Sequence, residues 1–229
     1  MSWEESKEFE MFLAVDTCGP VGSIALGCLN LGEFALMGEA SIPGQELSVK
    51  LVQGISDLLA EAKSSVADLG GLTAVAGPGS FTGIRIGLAA VKAIAEARGL
   101  PVVTVSRLAL LAELGQAPCS VLDAHRGQFY CGMYGDGDAR EMLLTAGEIN
   151  AMGGLTGERA GRVAVCEETV AQLLEELYGE PEIVRVAAPT AAQALGFSLV
   201  KWRAGDMADV ATLDGYYLRG ADAKVSTRL

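Results

Sequence analysis

A glycine-rich segment at residues 77–87 constrains the fold of this chain more than any other feature. The apolar run at 72–76 leads into the segment and predicts a buried strand, and the apolar pattern at 88–98 after it predicts a helix. A strand, a glycine loop and a helix start, in this order, bring backbone N–H groups together at one point. Such a point can bind an anion or contact a partner.

Three known kinds of glycine loop do not fit this segment. A P-loop requires lysine and then serine or threonine after its last glycine, but Ile84 follows Gly83. A dinucleotide-binding loop requires a closer glycine spacing, and Pro78 removes an N–H group from the loop. A nucleophile elbow requires glycine two residues before and after its serine, and Ser80 has neither. These mismatches weaken the phosphate-binding interpretation and favour a tight strand-to-helix turn.

The helix predicted after the loop is apolar around most of its circumference. Its polar residues Arg85, Lys92 and Glu96 fall on one narrow stripe when the chain is wound at about 3.6 residues per turn. Such a helix must be buried on nearly all sides, and one side is expected to pack on the sheet of its own fold. The opposite side contacts either another helix of the same fold or a second protein, and the pattern leaves both interpretations open.

The composition limits what the chain can bind alone. Hydrophobic residues make up 50% of its 229 residues, enough for a substantial core in one large domain or two small lobes. Acidic residues outnumber basic ones by 29 to 17, and the formal net charge is −12. A surface of this charge repels a phosphate backbone, so we expect any contact with nucleic acid to be indirect, through a partner.

The cysteines and the N-terminal residues predict the compartment. The 5 cysteines are scattered and form no Cys-x-x-Cys pair, which argues against a disulfide framework or a cysteine zinc site. Residues 2–10 are polar and acidic, unlike a secretory signal, and no apolar run is long enough to span a bilayer. The sequence predicts a cytoplasmic protein without membrane contact, with residues 1–10 as a loose extension.

The two halves of the chain repeat one order of elements. The pattern predicts an α/β fold of two similar lobes on a duplicated βββαβα plan, with the lobes at 11–106 and 107–229. In each half the first strand ends in an aspartate, Asp16 and Asp123, and these two positions are predicted to face a shared cleft. For one aspartate alone, capping a turn is the simpler interpretation.

Few residue combinations in the chain support catalysis. His125 is the only histidine, so a two-histidine metal site cannot be built, and we predict no metal site. No motif places a serine to complete a triad with this histidine, and we predict no catalytic residue. Paired carboxylates at Asp16 and Asp123 could orient a magnesium nucleotide, as they do in actin-like phosphotransferases. That comparison is an analogy of fold.

Several segments together resemble the bacterial TsaB (YeaZ) family. Residues 13–17 and 22–26 resemble its first two strands, residues 123–130 its Asp-Ala-Arg-x-x-Glu-Val-Tyr segment, and residues 217–219 its C-terminal Tyr-Leu-Arg. The resemblance runs in order from about residue 12 to residue 219. It is most specific in the loop that matches the family signature and continues to Gly87: Gly77, Pro78, Gly79, Ser80, Phe81, Thr82 and Gly83.

The resemblance implies an actin-like, sugar-kinase-like ATPase (ASKHA) fold. It also implies a role in forming threonylcarbamoyladenosine beside the anticodon, in tRNAs that read codons beginning with A. The catalytic subunit TsaD carries the histidine-pair metal site and binds the nucleotide, whereas TsaB-like chains are its non-catalytic scaffold. A TsaE-like ATPase docks where the two meet. We therefore expect no cofactor on this chain, ATP or ADP only at that junction, and a homodimer when the chain is alone.

The family pairs through two helices of the N-terminal lobe, which correspond here to about residues 46–63 and 83–98. The resemblance, with the apolar pattern, places the partner interface on Leu47, Leu51, Ile55, Ile84, Gly87, Leu88, Val91, Ile94 and Ala95. It also implies a vestigial nucleotide cleft at Asp16, Thr17 and Asp123. Two departures from the family pattern are Glu46-Leu47-Ser48, where relatives carry a histidine, and the opening loop 18–21, which is poor in phosphate donors.

Two other functions compete with the scaffold. A small-molecule phosphotransferase or ATPase of the same fold is motivated by the two aspartates. A peptidase is a label that older descriptions attach to relatives, and the missing histidine pair makes it the least supported reading.

Overall fold

The computed structural model describes residues 9–30, 33–134, 139–152, 161–178 and 182–218. The chain divides into two compact units. The first is Met1–Ser106 with Thr190–Tyr216, and the second is Arg107–Pro189 with Tyr217–Leu229. Among the residues described, no helix is both long enough and apolar enough to cross a membrane.

The described elements comprise strands and helices in both units. The strands are β1 (Phe9–Asp16), β2 (Val21–Asn30), β3 (Glu33–Pro43), β4 (Leu69–Gly77), β5 (Val102–Ser106), β6 (Cys119–Asp123), β7 (Gln128–Met133), β8 (Arg140–Thr145), β9 (Arg162–Val165) and β10 (Glu182–Arg185). The α-helices are α1 (Leu47–Glu61), α2 (Phe81–Arg98), α3 (Arg107–Leu114), α4 (Ala146–Ala151), α5 (Glu168–Tyr178) and α6 (Ala191–Ala204).

Each unit contains one sheet, and the two sheets have the same strand order. The first is β3-β2-β1-β4-β5 and the second is β8-β7-β6-β9-β10. In each sheet the first strand of the unit lies at the centre. On one side of it the second and third strands pair antiparallel, and on the other side the fourth and fifth strands pair parallel. This repeat confirms the predicted α/β fold on a duplicated plan. The sequence pattern did not predict α3, β8 or α4, which are short and carry little periodicity.

Alternate side chains of the first sheet point into two different helical layers, as the pleat of a strand requires. On one face, Phe12, Ala14 and Ala25 form a core with Leu195 and Trp202 of α6. On the opposite face, Ile24 lies beside α1, and α2 packs along β4. Strands β1, β2 and β4 of the first sheet are therefore buried on both faces, which explains their almost continuous apolar sequence, whereas the edge strand β3 is mostly exposed.

A chain of buried polar groups fixes α6 on the first sheet. Trp202 Nε1 donates a hydrogen bond to Thr73 Oγ1 at 3.2 Å, and Thr73 Oγ1 and Ser198 Oγ are 2.9 Å apart. Gly71 lies under the indole ring, where a Cβ atom would overlap the ring. Buried hydrogen bonds of this kind contribute about 1 kcal/mol each and penalise other registers, since they would leave the groups unsatisfied.

Two predicted boundaries require correction. The segment Thr190–Tyr216 belongs to the first unit, so the second lobe is not the continuous stretch 107–229. A helical pattern identifies α6 as a helix but does not say which sheet its apolar face covers. At the other end, β1 begins at Phe9, so Glu10 belongs to a strand and the first lobe begins before residue 11. The remainder of the predicted extension, residues 1–8, lies outside the described residues.

The core of the second unit contains two cysteine thiols on neighbouring strands. Cys119 on β6 and Cys131 on β7 are buried among valines and leucines. Burial raises the pKa of Cys119 to about 11 and the pKa of Cys131 to about 12. Cys166, after β9, is partly exposed.

Alkylation is expected to distinguish these thiols. At about pH 8 the Cys119 and Cys131 thiols stay protonated, and a protonated thiol is a poor nucleophile. We expect iodoacetamide to modify Cys166 in the native chain, and to modify Cys119 and Cys131 only after denaturant is added. Peptide mass spectrometry measures the three rates. Equal native rates at Cys119 and Cys166 would contradict the buried positions.

Candidate partner-binding groove

The side chains predicted to form the partner interface lie mostly inside the first unit. All nine except Ile94 are buried, and Val91, Ile84 and Leu47 are no more than 2% exposed. Apart from Ile55 and Ile94, these residues face the interior of the first unit and are not available to a second protein in this conformation. The predicted residue set therefore describes mostly the inner faces of α1 and α2, and we looked for a binding surface on the outer faces of the same helices.

A groove of about 470 Å³ runs between the outer faces of α1 and α2. Its lining is almost wholly apolar or small, and it includes two of the predicted interface residues, Ile55 and Ile94. The lining residues are Val52, Ile55, Ser56, Leu59, Ala60, Ser64, Ser65, Val66, Ala90, Ala93 and Ile94. The alanine and serine side chains are short, so the groove has room for side chains of another helix to insert.

Two valines on α1 are exposed, and one of them lines this groove. Val52, in the groove lining, is 72% exposed, and Val49, three residues before it in the first turn of the helix, is 80% exposed. The sequence reading did not select them, because it selected the stripe that contains Leu51 and Ile55. The sequence did contain a signal for them, because they are apolar β-branched residues at helix positions that face solvent, where charged residues are usual.

The signature glycines allow the turn after β1 to pack directly on the start of α2. A Cβ atom at Gly79 would overlap the carbonyl oxygen of Cys18, and one at Gly83 would overlap the carbonyl oxygen of Thr17. A Cβ atom at Gly87 would overlap the Thr17 hydroxyl. Close approach of two backbone segments therefore explains why glycine stands at these three positions.

Hydrogen bonds hold the same contact. Thr17 Oγ1 donates to the Gly83 carbonyl oxygen at 2.7 Å, and Ser80 N donates to the Cys18 carbonyl oxygen at 2.8 Å. Ser80 Oγ accepts from Gly83 N at 3.2 Å and caps α2. The start of α2 thus bonds to the chain's own backbone, and the loop forms the tight turn that its sequence favoured over a phosphate cradle.

The two strand-ending aspartates have the same local geometry in their separate units. Asp16 Oδ1 accepts from Cys18 N at 2.8 Å, and Asp123 Oδ1 accepts from His125 N at 2.7 Å. Each carboxylate therefore caps a turn two residues further on. Asp16 and Thr17 are each 1% exposed, so both belong to the packed turn. The shared nucleotide cleft stays a prediction.

Asp123 lies among other ionisable groups of the second unit. Its backbone N–H donates to Glu167 Oε2 at 3.0 Å, and its Oδ2 lies 3.0 Å from His125 Nδ1. Burial raises the pKa of Glu167, and the hydrogen bond from Asp123 and the positive charge of Arg107 oppose that rise. In the described parts of the chain, no three His, Cys, Asp or Glu side chains are grouped as a metal site requires.

Comparison with known proteins finds sequence similarity to proteins of tRNA threonylcarbamoyladenosine formation. Residues 41–153 match the family model of TsaD, tRNA N6-adenosine threonylcarbamoyltransferase. The tRNA threonylcarbamoyladenosine biosynthesis protein TsaB of Bacillus subtilis is 32% identical over 127 residues, which is 53% of this chain and 54% of that protein. TsaB of Escherichia coli is 30% identical over 131 residues, again 53% and 54% of the two chains. The matches therefore span about half the length of these relatives.

The fold has a close counterpart among solved structures. YeaZ from Pseudomonas aeruginosa superimposes with a TM-score of 0.72 at 24% identity, covering 91% of this chain and 100% of that one. This likeness establishes the fold alone, and the sequence matches supply the relationship. The segment matched by the family model contains α1, α2 and the glycine loop. This chain is therefore similar in sequence to TsaB proteins over about half of its length, and it has the fold of YeaZ.

Proposed function

We propose that this chain is a non-catalytic subunit that binds a TsaD-family subunit and supports its formation of threonylcarbamoyladenosine in tRNA. The observation that carries the proposal is the apolar groove between α1 and α2, with Val52 72% exposed in its wall, on a chain similar to TsaB proteins. The named relatives from Bacillus subtilis and Escherichia coli are proteins of tRNA threonylcarbamoyladenosine biosynthesis.

The energetics of the groove favour a protein ligand. Burying one valine side chain contributes roughly 1.5–3 kcal/mol. Val49 and Val52 together supply a useful part of the binding free energy without any rearrangement of the core. The low walls at Ala90 and Ala93 allow an apolar helix to approach closely. Apolar helix faces of this kind recognise another helix better than they recognise a polar small molecule.

The net charge of the chain indicates which subunits of the proposed complex bind tRNA. With a net charge of −12, this subunit leaves tRNA binding to its partners. A TsaE-like ATPase docks beside the pair, ATP or ADP binds at their junction, and this chain carries no cofactor of its own. The complex acts in the cytoplasm.

In the absence of its partner the chain pairs with a second copy through the same groove, so the homodimer and the heterodimer compete.

The phosphotransferase alternative has less support than the scaffold. Its motivating residue Asp16 is buried, and one of its carboxylate oxygens caps the turn at Cys18. Calorimetry of the isolated chain with magnesium ATP decides between the two: heat of binding at millimolar nucleotide favours the alternative.

A reconstituted modification reaction tests the proposal. TsaD-family and TsaE-family subunits from the same source, tRNA and threonylcarbamoyl-adenylate are combined with and without this chain, and modified adenosine is measured by mass spectrometry. We expect modification to depend on the chain and to reach a plateau at an equimolar ratio to the TsaD-family subunit. Equal modification without the chain overturns the proposal.

A further inference from the structure

An arginine stacks on an exposed aromatic ring at the start of α2. The Arg85 guanidinium carbon lies 3.7 Å from the centroid of the Phe81 ring. Phe81 is 52% exposed and Arg85 is exposed as well. The stacking holds the planar guanidinium in one orientation, so less conformational entropy is lost when this group binds a ligand.

Arg85 has no anionic partner within the described parts of the chain, where the ring of Phe81 is its one specific contact. This is unusual in a chain with 29 acidic and 17 basic residues, because exposed cations readily find carboxylates. Two other cations of α1 and α2 are engaged: Lys50 pairs with Glu46, and Lys92 Nζ donates to the Leu213 carbonyl oxygen at 2.9 Å. Arg85 therefore presents a free fork of donors to an outside group.

The pair is continuous with the groove. Phe81, Arg85, Ala89 and Ala93 are spaced four residues apart, so they form one ridge along α2, and all four are exposed. Ala93 lines the groove. A partner helix or loop that occupies the groove and extends along this ridge toward the start of α2 contacts the guanidinium of Arg85.

We propose that Phe81 and Arg85 form a polar anchor of the partner-binding face and that Arg85 binds a carboxylate of an Asp or Glu side chain on the partner protein. This inference rests on the proposed function and adds the chemistry of the contact. The planar fork of arginine matches a carboxylate with two parallel hydrogen bonds. Phe81 excludes water from one side of the ion pair, which strengthens it.

A protein carboxylate fits the surroundings better than a phosphate of tRNA. Neutralising a nucleic-acid backbone takes several cations in a row, and Lys50 and Lys92 are already engaged. The ridge that continues from Arg85 consists of apolar alanines, which contact protein side chains and offer nothing to a phosphate backbone. Aromatic residues and arginine are also enriched among the interface residues that contribute most of the binding free energy in protein complexes.

Four variants test the anchor in binding assays with the TsaD-family subunit. Arg85→Ala removes the charge, Arg85→Lys keeps the charge but loses the planar fork, and Phe81→Leu keeps an apolar side chain but removes the ring. Arg140→Ala, at an exposed arginine of β8 in the second unit, is the matched control. Thermal unfolding of each variant confirms that it is folded, and the affinity is measured at low and high salt.

We expect Arg85→Ala to raise the Kd roughly tenfold or more at low salt, with Arg85→Lys and Phe81→Leu in between and Arg140→Ala unchanged. The ratio between wild type and Arg85→Ala should shrink at high salt, because the lost contact is an ion pair. If the wild-type chain binds but Arg85→Ala binds equally well at both salt concentrations, the anchor is refuted and the proposed function stands.

Two other outcomes are informative. No complex with the wild-type chain refutes the proposed function itself. If Arg85→Ala lowers the affinity of the assembled complex for a tRNA probe but leaves the affinity for the TsaD-family subunit unchanged, the ligand of Arg85 is a phosphate, and the carboxylate assignment is overturned.

Discussion

Replacing Gly83 by alanine is expected to lower the free energy of unfolding by roughly 3 kcal/mol, which corresponds to about 6–12 °C in Tm for a chain of this size. Alanine normally stabilises a helix relative to glycine. At Gly83, however, its Cβ atom overlaps the carbonyl oxygen of Thr17, which is itself fixed in the turn after β1. The helix must move away from that turn and lose the hydrogen bond from Thr17 Oγ1.

Gly196 provides the matched control for this prediction. It lies inside α6, and a Cβ atom there meets no atom within 4 Å. Gly196→Ala is expected to raise the free energy of unfolding by about 0.5–1 kcal/mol, the ordinary gain for a helix. Differential scanning calorimetry of the two variants compares the signs. Stabilisation by both substitutions would contradict the close contact between Gly83 and the Thr17 carbonyl oxygen.

Replacing Val52 by glutamate is expected to weaken binding of the TsaD-family subunit by roughly a hundredfold or more, because complex formation buries an unpaired charge in an apolar groove. Val52 is 72% exposed in the free chain, so the glutamate remains hydrated there and the fold is unaffected. Sedimentation velocity of equimolar mixtures measures the loss of the heterodimer.

Val200 is the control for the groove. It is 73% exposed on α6, which covers the opposite face of the first sheet from α1 and α2. Val200→Glu is expected to leave binding unchanged, and equal loss of binding in both variants would refute the groove as the site. Charged substitutions at Leu88 or Val91 are unsuitable for this test. Both residues are buried, so such variants disrupt the core before they report on an interface.

The order of elements in the first unit followed from local pattern. The apolar run before Gly77 is a buried strand, and the apolar positions after it form α2, as their periodicity predicts. The pattern did not show that α6 covers the first sheet, because its amphipathic face fits either sheet equally. That choice depends on contacts of Trp202 with Gly71 and Thr73 of β4, which are far from it in sequence.

The binding surface was harder to predict than the fold. Apolar periodicity marks the side of a helix that is buried, and on α1 and α2 that side faces the chain's own sheet. The groove lining instead adds the exposed Val52 and several alanines and serines, such as Ala93, which the apolar stripe of each helix does not include. The sequence pattern placed Phe81 in the loop and Arg85 in the helix, so their stacking became visible only when the structure showed that α2 begins at Phe81.

Hydrogen–deuterium exchange with and without the TsaD-family subunit tests the central claim most directly, because it detects complex formation and locates the contact in one experiment. We expect exchange to slow in peptides covering α1 (Leu47–Glu61) and α2 (Phe81–Arg98), and to stay unchanged in α5 (Glu168–Tyr178). A complex that forms while exchange in α1 and α2 stays unchanged would contradict the groove as the binding site.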